Sequence, residues 1–318
     1  LIPYLSNLSG AGVAFKLIQA LLGGVDEMHE FFDLAAIGTG ADVVPLVDDN
    51  RIIMKKGLEQ IKAGSRIGIR ALKNAAGVKS DFFKTSFLYY ILIPRINAAG
   101  RIASAEDVVK ILLTDSEDEA GELARRLHDL NAKRQEIEEV VYRDAREMLK
   151  KSEVPDREAG TKGAIVLASE GWHPGVVGIV ASRLAEEYCM PAFILSIENG
   201  IAKGSARSIP SFDIYSGLSK CAGLLQRFGG HKQAAGLALA STDIDRFREA
   251  ISGVIAEEVS DDDFLPSLNI DAAISISDIR FELASEIAML EPFGYGNEEP
   301  LFGARGLEVK QPRVVGSN

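Results

Sequence analysis

"AIVLASEGWHPGVVGIVASRLAEEYCMPAFILSI", residues 164–197, decides the fold class. "AIVLAS" is a short apolar run and reads as a buried strand, "VVGIVASRLAEEY" has helical patterning, and "PAFILSI" reads as a second buried strand. A strand, a helix and a strand in that order are α/β organisation. The pattern continues downstream. "IYSGLSKCAGLLQRF" (214–228) is predicted helical, "LALAS" (237–241) a strand, and "TDIDRFREAISGVIAEEV" (242–259) a helix, before an acidic break at "SDDDFLPS" (260–267).

Upstream, "SEVPDREAGTKG" (152–163) has the Pro/Gly-rich, polar composition of an inter-domain linker. Before it, residues 116–151 contain no proline and only one early glycine. Leu123, Leu127, Leu130, Ile137, Val140, Val141 and Met148 recur there at roughly helical spacing, so the segment reads as one long helix. "FFDLAAIGTGADVVPLVDDNR" (31–51) opens with an apolar run that fits a strand or a helix equally and leads into a Gly-Thr-Gly turn. The last stretch, with "LNIDAAISISD" (268–278) and "PLFGARGLEV" (300–309), has short strand-like runs around a helix and reads as the start of a small β domain.

The chain has 318 residues, 47% of them hydrophobic and 25% charged, which is ordinary globular composition. No apolar run reaches the roughly 20 residues that span a bilayer, and the N-terminus carries no signal-peptide pattern, so a cytoplasmic location without membrane association is expected. Two cysteines, Cys189 and Cys221, in no ligand spacing point to neither a disulfide framework nor a zinc site; both read as small core residues. Formal net charge is −11, so a polyanion ligand requires the basic residues to be gathered locally. The opening without methionine and the stop after a strand-like run lead to the expectation of a piece cut at both ends.

Several residues invite chemistry. Asp33 sits among apolar neighbours and is either a metal ligand or a structural acceptor; Asp42, in "GADVVPL", carries the same two readings, with the turn role favoured. Arg101 follows small residues in "NAAGR", where its fork could reach two phosphate oxygens or a surface carboxylate. "GWHPGVVGIVASRL" (171–184) is a loop opening onto a helix N-terminus, with His173 beside it. In "KGSARSIPSFD" (203–213), an extended backbone puts Ser205 and Arg207 on one face as a phosphate clamp, or as a solvated strand edge. "QRFGGHKQAAG" (226–236) places His231 behind Gly229 and Gly230, a tight turn or a backbone bend that admits an anionic ligand. No P-loop, GxGxxG or GxSxG motif occurs.

Taken together, "DLAAIGTGADVVPLVDDNR", "RINAAGR", "WHPGVVGIVASRL", "GSARSIPSFD", "RFGGHKQAAGLAL" and "EPFGYGNEEPLF" resemble, in order and spacing, the RecJ family of the DHH phosphoesterase superfamily. The resemblance implies an α/β chain in four parts. They are the C-terminal part of a DHH catalytic domain (1–114), a long connecting helix (115–152), a DHHA1-type nucleic-acid-binding domain (153–262) and the beginning of a β-rich OB-fold (263–318). It also implies 5′-to-3′ exonucleolysis of single-stranded DNA in repair and recombination, by two-metal phosphodiester hydrolysis with Mn²⁺ or Mg²⁺. Carried over residue by residue, Asp33 matches a catalytic metal ligand. Arg101, Ser205 and Arg207 match the grip on a 5′-terminal phosphate, Gly229, Gly230 and His231 the nucleic-acid-binding motif of the second domain, and His173 faces the same cleft.

The family's earlier aspartate motifs and its Asp-His-His triplet are not found, and "HH" occurs nowhere, so an incomplete metal site and an inactive piece are expected. Expected partners are single-stranded DNA and a single-strand-binding protein or helicase, with a monomeric state. Two alternatives remain: a DHH/DHHA1 phosphodiesterase for short oligonucleotides or cyclic dinucleotides, against which residues 264–318 argue, and a non-catalytic replication scaffold.

Overall fold

The structure, a computed structural model, describes residues 7–23, 26–78, 84–151, 163–308, 310, 311 and 313. The chain divides into two compact units: Leu1–Ile96 with Asp107–Arg125 and Leu268–Asn318, and Asn97–Glu106 with Arg126–Ser267. Residues 152–162 of the expected linker lie outside the described residues.

The first unit is helical. Helix α1 (Gly10–Leu22) starts at Ser9, whose hydroxyl accepts from Gly12 N–H at 3.0 Å, and stops at Gly23 in the left-handed region. After a 3₁₀ turn (Asp26–Phe31) comes α2 (Phe32–Ala41). The expected Gly-Thr-Gly turn is therefore helix interior. Packing explains it, because a Cβ on Gly38 would lie 2.3 Å from the Ala11 Cβ, so the glycine is what lets α1 and α2 close on each other. Then follow α3 (Asp48–Ala63) and α4 (Ile67–Ala75). A short α5 (Thr85–Phe87) runs through a π-helical turn (Leu88–Leu92) into α6 (Ile93–Ile102), and α7 (Glu106–Leu113) precedes the long α8 (Glu117–Lys151).

The second unit is built on β1 (Ile165–Glu170), α9 (Val177–Tyr188), β2 (Ala192–Glu198), β3 (Ile201–Arg207), α10 (Ile214–Lys220), β4 (Arg227–His231), β5 (Ala234–Ala240) and α11 (Ile244–Glu258). Its sheet has the order β1-β2-β3-β5-β4; β1 and β2 are parallel, joined across α9, and the other pairs are antiparallel. Ala192–Leu195 are buried on both faces, which is why that strand reads as one continuous apolar run. On one face Phe193 meets Phe247 of α11 edge-on at 5.5 Å, and α9 covers part of the other.

Two expectations change here. The helix predicted over 214–228 ends at Lys220, and Arg227–His231 pairs as an edge strand with β5 through a two-residue turn at Lys232 and Gln233. Glycines at 223, 229 and 230 weaken a helix there, and the hairpin ladder supplies the backbone partners instead. Cys189 is not a core residue: it is only partly buried and ends α9 with φ 52, whereas Cys221 is buried.

In the C-terminal segment, β6 (Ala272–Ala273) pairs parallel with β7 (Phe302–Gly303), and α12 (Phe281–Ala288) lies between them in sequence. This segment ties back to the first unit: Arg51 Nη2 donates to the Leu290 carbonyl at 2.5 Å and Leu46 N–H to the Tyr295 carbonyl at 2.7 Å. Among the described residues no helix is long and apolar enough to cross a membrane.

Candidate nucleic-acid interface

Strand alternation places Lys203, Ser205 and Arg207 on one face of β3. The register extends this face across the sheet in three rows: Lys203–Ala238–Arg227, Ser205–Gly236–Gly229 and Arg207–Ala234–His231. Helix α9 covers only its β2/β3 side. A Cβ on Gly178 would sit 3.2 Å from Ser205 Oγ and 3.4 Å from Arg207 Nη2, so the first turn of α9 rests against both side chains. That turn has no side-chain cap, which leaves N-terminal N–H groups and the positive end of the helix beside the serine and the arginine.

Arg101, at the end of α6, reaches the same turn: its Nη1 donates to the Gly175 carbonyl at 3.2 Å. The imidazole of His173 is oriented there as well, with Nδ1 accepting from Gly175 N–H at 3.0 Å. In the neutral ring this leaves the proton on Nε2, a donor for a ligand. Arg207 donates through Nη1 to the Ala206 carbonyl at 2.9 Å, and no carboxylate among the described residues forms an ion pair with Arg101 or Arg207. Burial lowers the pKa of Arg207, and the neighbouring Arg101 charge lowers it further. Arg101 is lowered by burial and then by Arg134, against a smaller opposing pull from Glu138. Arg134 itself is compensated, since it pairs with Glu138 and donates to Asn131 at 2.7 Å. Two neighbouring guanidiniums that form no ion pair among the described residues, beside a helix N-terminus, make a site for an anion.

Gly229 and Gly230 have different reasons to be glycine. Gly230 has φ 154, and a Cβ there would meet the Ala234 carbonyl oxygen at 2.3 Å and the Ala235 Cα at 2.5 Å, so the hairpin requires it. At Gly229 a Cβ would meet nothing within 4 Å. The fold does not need a glycine there. Its openness, matched by the exposed Gly236 opposite, makes a flat floor onto which a ligand can settle. His231 is exposed at the end of the same strand. The "GGH" segment is thus an edge strand with one bare face, not a bend.

Asp33 lies in the first unit, in the first turn of α2, and is 2% exposed. Its carboxylate is gripped by Arg66, with Nε at 2.7 Å from Oδ2 and Nη2 at 3.1 Å from Oδ1, and Oδ1 also accepts from Leu34 N–H at 2.7 Å. Arg66 further donates to the carbonyls of Leu112 at 3.1 Å and Glu30 at 2.7 Å. In this arrangement both carboxylate oxygens serve an ion pair, with the Arg66 guanidinium as the counter-charge of a buried carboxylate. Asp42 is different. It is exposed at the C-terminus of α2, where the helix dipole disfavours a carboxylate, and it precedes Val43, a β-branched residue at φ 51. Among the described residues no three His, Cys, Asp or Glu side chains come together as a cation cage, so these residues alone do not fit the six-oxygen sphere of Mg²⁺.

A family profile described as the DHHA1 domain matches residues 161–257, and one described as the RecJ OB domain matches residues 270–318. The chain is 39% identical to the single-stranded-DNA-specific exonuclease RecJ of Bacillus subtilis over 314 residues, 98% of this chain, and 34% identical to the Escherichia coli protein of that name over 330 residues, also 98% of this chain. The chain belongs to the RecJ family.

Among solved structures, RecJ of Thermus thermophilus in complex with Mg²⁺ matches with a TM-score of 0.80 at 37% identity, over 92% of this chain and 45% of that one. Of the two curated RecJ proteins, the chain spans 39% and 56% of their length. The mixed α/β class and the OB-related tail expected from the sequence agree with these matches. In this RecJ-family chain, Lys203 and Arg227 stand on the same face as Ser205 and Gly229, and sequence reading left both out of the site. The signal was present, because Arg227 stands at period two from Gly229 and His231 and becomes visible once "RFGGH" is read as a strand.

Proposed function

We propose that this chain carries the single-strand-binding part of a RecJ-type 5′-to-3′ single-stranded-DNA exonuclease acting in repair and recombination. The observation that carries the reading is the Arg101/Arg207 pair, without an ion-pair partner among the described residues, at the N-terminus of α9, which has no side-chain cap, with Ser205 and His173 beside it. In this reading a 5′-terminal phosphate accepts from the α9 N–H groups, the Ser205 hydroxyl and the Arg207 fork, and Arg101 holds the next phosphate oxygens. The strand then lies over Gly236 and Gly229 with His231 as its border. The names of the relatives support single-stranded DNA as the substrate, and the match to the RecJ OB domain favours it over the short-oligonucleotide phosphodiesterase.

The solved RecJ complex with Mg²⁺, and the Thermus thermophilus complex with Mn²⁺, support a Mg²⁺ or Mn²⁺ dependence of the whole enzyme. From residues 31–51 the donor we assign to such an ion is Asp42, with Asp33 holding the scaffold. A monomer that receives its strand from a single-strand-binding protein or helicase completes the reading. The test is a binding comparison of one oligonucleotide carrying a 5′-phosphate, a 5′-hydroxyl or only a 3′-phosphate. Preference for the 5′-phosphate is expected, and equal binding of all three overturns the terminal grip.

A further inference from the structure

We infer that Lys203 and Arg227 form a second phosphate subsite, separate from the Arg101/Arg207 grip, which holds an internal phosphodiester of the same strand. The inference rests on the nucleic-acid reading of this face and says how long a ligand the face is built for. Both residues flank Ala238 directly, Lys203 from β3 and Arg227 from β4, so their side chains rise on the same face from opposite sides of β5. Two interstrand steps put their Cα atoms roughly 10 Å apart, a span that two long cationic side chains close over a phosphate. Beneath them is a groove of about 240 Å³ with Gly229 and Gly236 in its lining and no acidic side chain. Both cations are exposed, and neither has an ion-pair partner among the described residues.

Spacing separates this subsite from the first. Four residues of antiparallel strand between Lys203 and Arg207 measure roughly 14 Å, beyond the reach of one phosphate group. The row between them, Ser205–Gly236–Gly229, carries no bulk on its β5 and β4 positions, so a chain can pass from one cationic row to the other. A ligand with a single phosphate, or a compact dinucleotide, engages one row; only a longer strand engages both. The face therefore selects for chain length.

The test measures binding of 3′-fluorescein-labelled, 5′-phosphorylated oligothymidylates, from dinucleotide to hexanucleotide, to the full chain and to K203A/R227A. Affinity is expected to rise with length in the parent. In the double variant that rise is expected to shrink on the order of tenfold, and the slope of log K against log salt to become shallower by about 0.7 for each phosphate that the variant no longer neutralises. The preference for a 5′-phosphate over a 5′-hydroxyl end, and the thermal midpoint, stay unchanged. The same length dependence and salt slope in variant and parent overturn the subsite while leaving the terminal grip standing. Failure of the parent to bind any of these oligonucleotides overturns both.

Discussion

Arg66 holds both carboxylate oxygens of Asp33, at 2.7 and 3.1 Å, across 33 residues of sequence. The pair joins α2 to the start of α4, and through the other Arg66 hydrogen bonds it fixes the carbonyls of Glu30 and Leu112. Removing one partner strands the other charge. D33A is expected to lower stability by about 3–5 kcal/mol. D42N, at an exposed helix C-terminus, should change it by no more than about 0.5 kcal/mol. Chemical denaturation of the two variants checks this, and a D33A chain as stable as the parent contradicts the scaffold role.

The two glycines of β4 should part company in the same way. G230A forces a Cβ against the Ala234 and Ala235 backbone and is expected to destabilise by about 1–3 kcal/mol. G229A meets only open space, so its thermal midpoint should hold or rise, while its affinity for single-stranded DNA falls because the methyl stands on the groove floor. Unfolding and binding measured on one preparation separate these effects.

The cysteines report on local packing. Burial pushes the Cys221 thiol above its ordinary value of 9.0, which means the thiolate is disfavoured in the folded chain. The associated stability is complete below that ordinary value and is lost as pH rises through the raised one. At pH 8, alkylation of Cys189 is expected to precede that of Cys221, with mass spectrometry as readout. Cys189 has φ 52 at the end of α9, so C189G should stabilise the chain by about 1 kcal/mol.

Elements whose apolar pattern is long or unbroken were readable from residue order: α8, α9, the buried run of β2, and α11. Misread elements depend on contacts distant in sequence. Gly38 is tolerated inside a helix because Ala11 packs on it, and Arg227–His231 becomes a strand only by pairing with β5. The same holds for the site. Ser205 and Arg207 share a face by simple alternation, but their approach to Gly178, and that of Arg101 to Gly175, is set by tertiary packing. Nothing local to Asp33 announces Arg66, 33 residues away, so the ion pair of this buried carboxylate is legible only in the fold.

The binding face is tested most directly by titrating a 5′-phosphorylated single-stranded oligonucleotide into the chain and into R101A/R207A at several salt concentrations. Each neutralised phosphate should contribute about −0.7 to the parent's slope of log K against log salt, and the double variant should bind at least on the order of tenfold more weakly with a shallower slope. Binding that ignores salt, or that survives the removal of both guanidiniums undiminished, would contradict it.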